Sequence, residues 1–183
     1  MTDSSMQYNE ILAVQSQLHE LQYKHWLHHE LFTYQWWALV VLLIIPWIIW
    51  WKLVDKTKTA IILAYGIYIM FVVTAMDAIG SALQLWIYPI KLLPIIPDSI
   101  GINWGLLTVA HMLVYQYFPR WKSFIVAESI FAAVLAFLGE PFAEWYGVYT
   151  PLQWEHISSF PIYLMKAVIG KWLIERLVFH KKF

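Results

Sequence analysis

The first long apolar stretch of the chain is QWWALVVLLIIPWIIWW, residues 35–51. It holds no charged residue, and its length approaches the roughly 20 residues that an α-helix needs to cross a bilayer. Tryptophans stand at its start and again near its end, which is where the two membrane–water interfaces select them. The stretch therefore predicts a transmembrane helix.

The composition of the whole chain also indicates a membrane protein. Of 183 residues, 61% are hydrophobic and 13% are charged, against roughly 45–50% and about 25% in an average soluble domain. A soluble domain of this length could not bury so much apolar surface in one core. The formal net charge is zero and no basic stretch is present, so nothing supports a nucleic-acid partner.

Further stretches of the chain are long and apolar enough to span a bilayer. We predict an all-α polytopic membrane protein, with one integral membrane domain over residues 1–183 and five transmembrane helices. The predicted spans are about 35–51, 59–85, 101–118, 121–138 and 159–178. Residues 86–97 are predicted to form a connector at the outer interface or a re-entrant segment. Residues 139–156 are predicted to form a turn-rich connector.

Residues 1–34 precede the first span and are predicted to form an amphipathic helix outside the cytoplasm. Its apolar residues recur at three- and four-residue spacing; they are Ile11, Val14, Leu18 and Leu21. Such a stripe fits the membrane surface or the protein's own bundle. It also fits a second copy of the same helix. A homodimer therefore stays open as an alternative, beside contacts with the lipid bilayer.

The basic residues give the predicted orientation, since short cytoplasmic loops carry an excess of lysine and arginine. If five helices alternate in direction, one side of the membrane receives Lys52, Lys56, Lys58, Arg120, Lys122, Lys171, Arg176, Lys181 and Lys182. The other side receives Lys24 and Lys91. We therefore predict that the N-terminus lies outside and that the C-terminus lies in the cytoplasm.

Ionisable residues inside or at the ends of the predicted spans are costly and are functional candidates by default. They are Asp77, His111, Glu128, Glu140 and Lys166. We predict that they form a polar cavity, in which the two outer acids receive a ligand, Lys166 balances their charge, and His111 and Glu128 relay protons. The alternative is a structural role, with Lys166 neutralised by Asp77 or Glu140 and His111 bonded to a backbone carbonyl.

The two outer acids share a sequence setting. Asp77 is followed by Trp86 and Tyr88, and Glu140 is followed by a similar Trp, Tyr and Pro pattern within residues 145–151. The pattern predicts two aromatic-walled acids side by side at the outer mouth of the cavity. Such a site would suit a cation or a lipophilic substrate with a polar head.

Two other features of the spans have structural interpretations. Gly101 and Gly105 have the GxxxG spacing, which favours close helix packing. Lys171 precedes Glu175 by four residues, so the two side chains can pair along one helix face.

A histidine cluster precedes the first span. His25 and His29 are four residues apart and are weak candidates for metal ligands, with Glu155 or His156 as a third ligand. No complete metal motif is present, so we predict no metal site. The chain has no cysteine and no glycine-rich phosphate loop, and the sequence identifies no cofactor.

Several specific stretches are distributed over nearly the whole chain. They are Gln35-Trp36-Trp37, IPWIIWWKLVD (45–55), Lys91-Leu92-Leu93-Pro94, YQYFPRWKS (115–123), Gly139-Glu140-Pro141 and SFPIY (159–163). Through them the chain resembles a family of small five-transmembrane-helix proteins, without an established activity, from spore-forming Gram-positive bacteria. The resemblance implies the five-span fold and a multi-pass location in the bacterial cytoplasmic (plasma) membrane.

The predicted function follows from the charged residues within the spans. We predict binding or transport of a small solute or a lipophilic ligand through a polar cavity within the membrane. Two alternatives remain open. One is a membrane-embedded enzyme acting on a lipid or isoprenoid, which would need a carboxyl group facing an apolar slot. The other is a non-catalytic assembly or scaffold protein. The sequence favours a non-enzyme and does not name the ligand.

Overall fold

The computed structural model describes residues 3–96 and 99–179. The helices are α1 (Asp3–His25), α2 (Tyr34–Leu53), α3 (Thr59–Ala82), α4 (Thr108–Tyr117), α5 (Trp121–Val134), α6 (Glu140–Trp145) and α7 (His156–Phe179), with π-helical segments at Trp26–Glu30, Gly101–Leu107 and Leu135–Gly139. Two short strands, β1 (Trp86–Ile87) and β2 (Thr150–Pro151), pair antiparallel. Pro97, Lys181 and Lys182, which entered the predictions above, lie outside the described residues.

Within the described residues, four helical stretches are long and apolar enough to cross a membrane. They are Tyr34–Leu53, Thr59–Ala82, Trp121–Trp145 and His156–Leu177. The predicted all-α membrane class is confirmed at this level. Gly101–Leu107 continues directly into α4, and together they make a helical stretch of 17 residues in the place of the third predicted span.

The helix of the fourth predicted span extends beyond the predicted end at about residue 138. The helix that begins at Trp121 continues through the π-helical turn Leu135–Gly139 and ends at Trp145. Pro141 falls in the first turn of α6, where a missing amide hydrogen is tolerated. Glu140 is therefore held on a helix and not on a connector.

The chain does not run straight from α1 into α2. Phe32 adopts a left-handed conformation, with φ of 61°, which ends the preceding helical path. The Thr33 side chain then accepts a hydrogen bond from the Trp36 amide at 3.2 Å, which caps the start of α2. The apolar stripe of α1 is exposed, with Leu21 66% accessible.

The glycine pair packs helices closely, as its spacing predicts. A Cβ added at Gly101 would meet the backbone of Leu39, and one added at Gly105 would meet the backbone of Leu42 and Leu43. Only residues without a side chain allow α2 and Gly101–Leu107 to approach this closely.

The main core lies between α3, α4, α5 and α7. Tyr65 stacks on Tyr115 with ring centroids 4.4 Å apart, and Phe124 and Met112 are fully buried beside them. These helices set the positions of the charged side chains described below.

Lys171 closes one end of this core. Its ammonium nitrogen lies 2.9 Å from a Glu175 carboxylate oxygen, which confirms the predicted pair. The ammonium also donates to the carbonyl oxygen of Pro119 at 3.0 Å. The Lys171 side chain is 1% exposed, and its contacts explain how the charge is tolerated there.

Candidate ligand-binding cavity

A cavity of about 890 Å³ lies between α2, α3, α6, α7 and the segment Gly101–Leu107. Its wall is mostly apolar, and aromatic side chains contribute from several elements; among the lining residues are Trp37, Trp86, Phe142, Tyr149 and Trp154. Three of the five predicted site residues, Asp77, Glu140 and Lys166, line the same cavity. The folding of distant segments thus brings these three charges to one cavity.

Asp77 is held by hydrogen-bond donors from two other segments. The Asn103 side-chain amide donates to the Asp77 carboxylate, and the hydroxyl of Tyr88 is also hydrogen-bonded to it. Desolvation raises the pKa of Tyr88 well above its usual value, and the charge of Asp77 raises that pKa further. The Tyr88 phenol therefore stays protonated and acts as a donor at physiological pH.

Glu140 is held by two side chains of α7. The Tyr163 hydroxyl donates to Oε1 of Glu140, and Nδ1 of His156 lies 2.7 Å from its Oε2. Nε2 of the same imidazole lies 3.3 Å from a Glu144 carboxylate oxygen. Both oxygens of Glu140 are thereby engaged.

The antiparallel pairing of β1 with β2 joins the chain segment that follows Asp77 to the segment that follows Glu140. Trp86 pairs with Pro151 in this ladder, and the rings of Tyr88 and Tyr149 lie 5.8 Å apart. Desolvation, followed by the charge of Glu140, raises the pKa of Tyr149. Asp77 and Glu140 line one cavity together with aromatic side chains, and Trp154 belongs to this lining whereas the exposed Trp145 does not. The placement of the two acids side by side at an outer mouth stays a prediction.

Lys166 points from α7 into the cavity wall and is only 4% exposed. Its ammonium nitrogen lies 4.4 Å from the centroid of the Tyr163 ring, a cation–π contact. Across residues 3–96 and 99–179, no carboxylate forms an ion pair with this ammonium. The charges of Asp77, Glu128 and Glu140 act on this ammonium at longer range. The structural alternative, in which Asp77 or Glu140 neutralises Lys166, therefore stays open.

His111 and Glu128 form a separate buried pair. Nδ1 of His111 lies 2.9 Å from Oε2 of Glu128, and both side chains are 0% exposed. Neither residue lines the cavity. The alternative interpretation, in which His111 bonds to a backbone carbonyl, is wrong, because the Glu128 carboxyl group of α5 is its partner. Within the described part of the chain, Nε2 of His111 and Oε1 of Glu128 have no hydrogen-bond partner.

The structure also shows a buried acid that the sequence prediction missed. Glu30 is 5% exposed; one of its oxygens lies 3.0 Å from Nδ1 of His25, and the other accepts the Lys91 amide at 2.8 Å. Trp26 donates to the Lys91 carbonyl at 3.0 Å. These hydrogen bonds hold Lys91 against the N-terminal segment. No local pattern in the sequence predicts them.

The predicted third metal ligand is not near the histidine cluster. His25 and His29 do lie close, with ring centroids 5.1 Å apart, but His156 is bonded to Glu140 and Glu144 instead. Among the residues that the structure describes, no group of three or more potential ligands is placed to hold a metal ion.

One side of the cavity wall reaches the outer face of the bundle. Several lining residues are more than half exposed there: Tyr34, Trp37, Val41, Ile79 and Phe142. All of them are aliphatic or aromatic, and they belong to helices that are apolar enough to lie in a membrane. These five exposed residues form the rim of the cavity. Their side chains are compatible with the acyl-chain region of a bilayer.

Comparison of the chain with family models, curated proteins and solved structures found no match. The resemblance to the five-span family therefore stays a prediction.

Proposed function

We propose that the chain is an integral membrane protein that binds or transports a lipophilic molecule with a polar head. The observation that carries this proposal is the cavity of about 890 Å³ with apolar walls and three charged side chains. Ligand sites are usually clefts of roughly 300–1,000 Å³, lined by hydrophobic and aromatic groups with a few placed polar groups. The cavity has this size and this chemistry.

The exposed rim supports access from the membrane. Because Trp37, Val41, Ile79 and Phe142 are apolar and exposed on the outer face, a ligand dissolved in the bilayer can reach the cavity without crossing water. A water-soluble solute would gain little from such a rim. The proposed ligand is therefore lipophilic over most of its length.

A substitution that fills the cavity provides the first test of the proposed function. Ala143 lines the cavity, and Ala133 on α5 does not, although both side chains are half-buried. Ala143→Phe places a ring in the ligand's volume, so we expect it to lose a lipophilic mass that co-purifies with the wild-type protein in mild detergent. Native mass spectrometry measures this mass.

Ala133→Phe is the matched control, since it adds the same ring outside the cavity, and it should keep the co-purifying mass. Equal ligand occupancy in Ala143→Phe and wild type would contradict the proposal.

Five spans with the N-terminus outside are the proposed arrangement in the membrane. The stretch from Gly101 to Tyr117 is about 26 Å long at 1.5 Å per residue, which is close to the hydrocarbon thickness of a bilayer. It packs against α2 and α3 inside the bundle. As a fifth span it keeps the loop with Lys56 and Lys58 on the same side as Arg120 and Lys122, as positive-inside bias requires. The proposed location is the bacterial plasma membrane.

Single-cysteine variants test this topology without background, because the chain has no native cysteine. Gln17 on α1 and Thr57 between α2 and α3 are both exposed. We expect a membrane-impermeant maleimide to label Gln17→Cys in intact cells. Thr57→Cys should react only after the cells are permeabilised. The opposite pattern would reverse the orientation, and labelling of both positions in intact cells would refute it.

A further inference from the structure

The acceptors that line the cavity have hydrogen-bond partners within the protein, and some of its donors do not. Its two carboxylates already accept hydrogen bonds: Asp77 from Asn103 and Tyr88, and Glu140 from Tyr163, with His156 at its second oxygen. Buried acceptors with such partners gain little from a further donor. A ligand that brings another hydrogen-bond donor would compete with contacts that the fold supplies.

Donors of the same cavity lack acceptors. The ammonium of Lys166 has three N–H groups, and within the described residues none of them forms a hydrogen bond or a close ion pair. The ammonium lies over the Tyr163 ring, and the charges of Asp77, Glu128 and Glu140 act on it at longer range. The indole N–H of Trp86, another lining residue, is buried and has no partner in the described part of the chain. Buried donors without acceptors are costly, so the site is incomplete without an acceptor.

The charged side chains of the cavity restrict which acceptor group the ligand can carry. The cavity holds two acidic side chains, Asp77 and Glu140, and one basic side chain, Lys166. An anionic head group would be repelled by the two acids, and a cationic ammonium head group has no lone pair to accept a hydrogen bond from Lys166. A neutral oxygen acceptor avoids both penalties.

We infer that the polar head of the ligand is a neutral carbonyl group, as in a ketone, ester or quinone, and that the Lys166 ammonium donates to its oxygen. This inference rests on the proposed function and gives its ligand a chemical class. It replaces the cation expected from the two aromatic-walled acids, because those acids are already occupied by protein donors.

Three probes with the same carbon chain test the inference: hexadecan-2-one, hexadecan-2-amine and hexadecane. Their occupancy on the purified protein is measured by native mass spectrometry at equal mole fractions in one detergent. We expect the ketone to occupy wild-type protein about tenfold more than the alkane or the amine, which is the effect of roughly one charge-assisted hydrogen bond.

Lys166→Met keeps an unbranched side chain of nearly the same length and removes the donors. It should lower ketone occupancy to that of the alkane while alkane occupancy is unchanged. Lys122→Met, at an exposed lysine far from the lining residues, should keep the full ketone preference. Retention of that preference in Lys166→Met would overturn the inference.

The wild-type protein decides the question by itself if Lys166→Met does not fold. Equal occupancy by all three probes, or a preference for the amine, overturns the carbonyl inference and leaves the proposed lipophilic site standing. Failure of every probe to occupy the wild-type protein overturns the proposed function instead.

Discussion

His111→Leu is expected to lower the free energy of unfolding by about 3 kcal/mol, the upper end of the cost of leaving a buried polar group without its hydrogen-bond partner. Glu128 is 0% exposed, and His111 is its hydrogen-bond partner at 2.9 Å. Within the described part of the chain, the imidazole is the only hydrogen-bond partner of this carboxyl group. The edge-on contact between the His111 and Phe131 rings, with centroids 5.0 Å apart, would be lost as well.

The reverse deletion should be milder. Glu128→Leu leaves a neutral imidazole with one more unsatisfied nitrogen, which costs about 1–3 kcal/mol. The double variant His111→Leu/Glu128→Leu removes both polar groups, so we expect it to be more stable than His111→Leu alone. A loss of stability in the double variant that is smaller than the sum of the two single losses shows that His111 and Glu128 are energetically coupled.

Reversible unfolding in mixed micelles measures these free energies. His28→Leu serves as the control, because His28 is an exposed histidine outside the spans, and it should change stability by less than about 0.5 kcal/mol. A His111→Leu protein as stable as the wild type, or a double variant less stable than both single variants, would show that the pair does not hold α4 against α5.

Gly105→Ala is expected to destabilise the protein by about 1–3 kcal/mol or more, although it adds a single methyl group. The new Cβ would meet the carbonyl oxygen of Leu42 and would lie 2.6 Å from Cα of Leu43. Both atoms belong to the backbone of α2, so no side chain can rotate away to make room. The whole of α2 would have to shift outward.

Gly139→Ala provides the matched control with the opposite expected sign. A Cβ at Gly139 would meet its nearest atoms at 3.6 and 3.7 Å, which is ordinary van der Waals contact. Gly139 has helical dihedral angles, with φ of −67° and ψ of −51°, so alanine should be neutral or slightly stabilising. Thermal unfolding of the three proteins in one detergent compares them. A Gly105→Ala protein that melts with the wild type would contradict the close packing of α2.

The sequence predicted the apolar helices well, since a spanning helix is defined by a local property, the hydropathy of about 20 consecutive residues. Its errors fell where a local signal was ambiguous. Glu140 and Pro141 were interpreted as part of a connector, but a π-helical turn carries the helix past them to Trp145. A charge and a proline can both be accommodated in a helix when neighbouring elements supply hydrogen bonds.

The charged residues of the candidate site could be predicted from the sequence. Their hydrogen-bond partners could not. A charge within a span is visible in the sequence, so Asp77, Glu140 and Lys166 were found. Their partners were not, because Asn103 and Tyr88 come from other segments of the chain. The same reason explains Glu30, whose buried partner is the amide of Lys91, 61 residues away.

The most direct measurement is photolabelling of the wild-type protein in membranes with a long-chain ketone that carries a diazirine in its chain, followed by peptide mapping. We expect saturable labelling of cavity-lining residues such as Met76 and Ile162. An excess of hexadecan-2-one should compete with this labelling, and Ala143→Phe should abolish it. Labelling confined to membrane-facing residues such as Ile67 and Phe71, which are 64% and 72% exposed, without competition, would contradict the binding cavity.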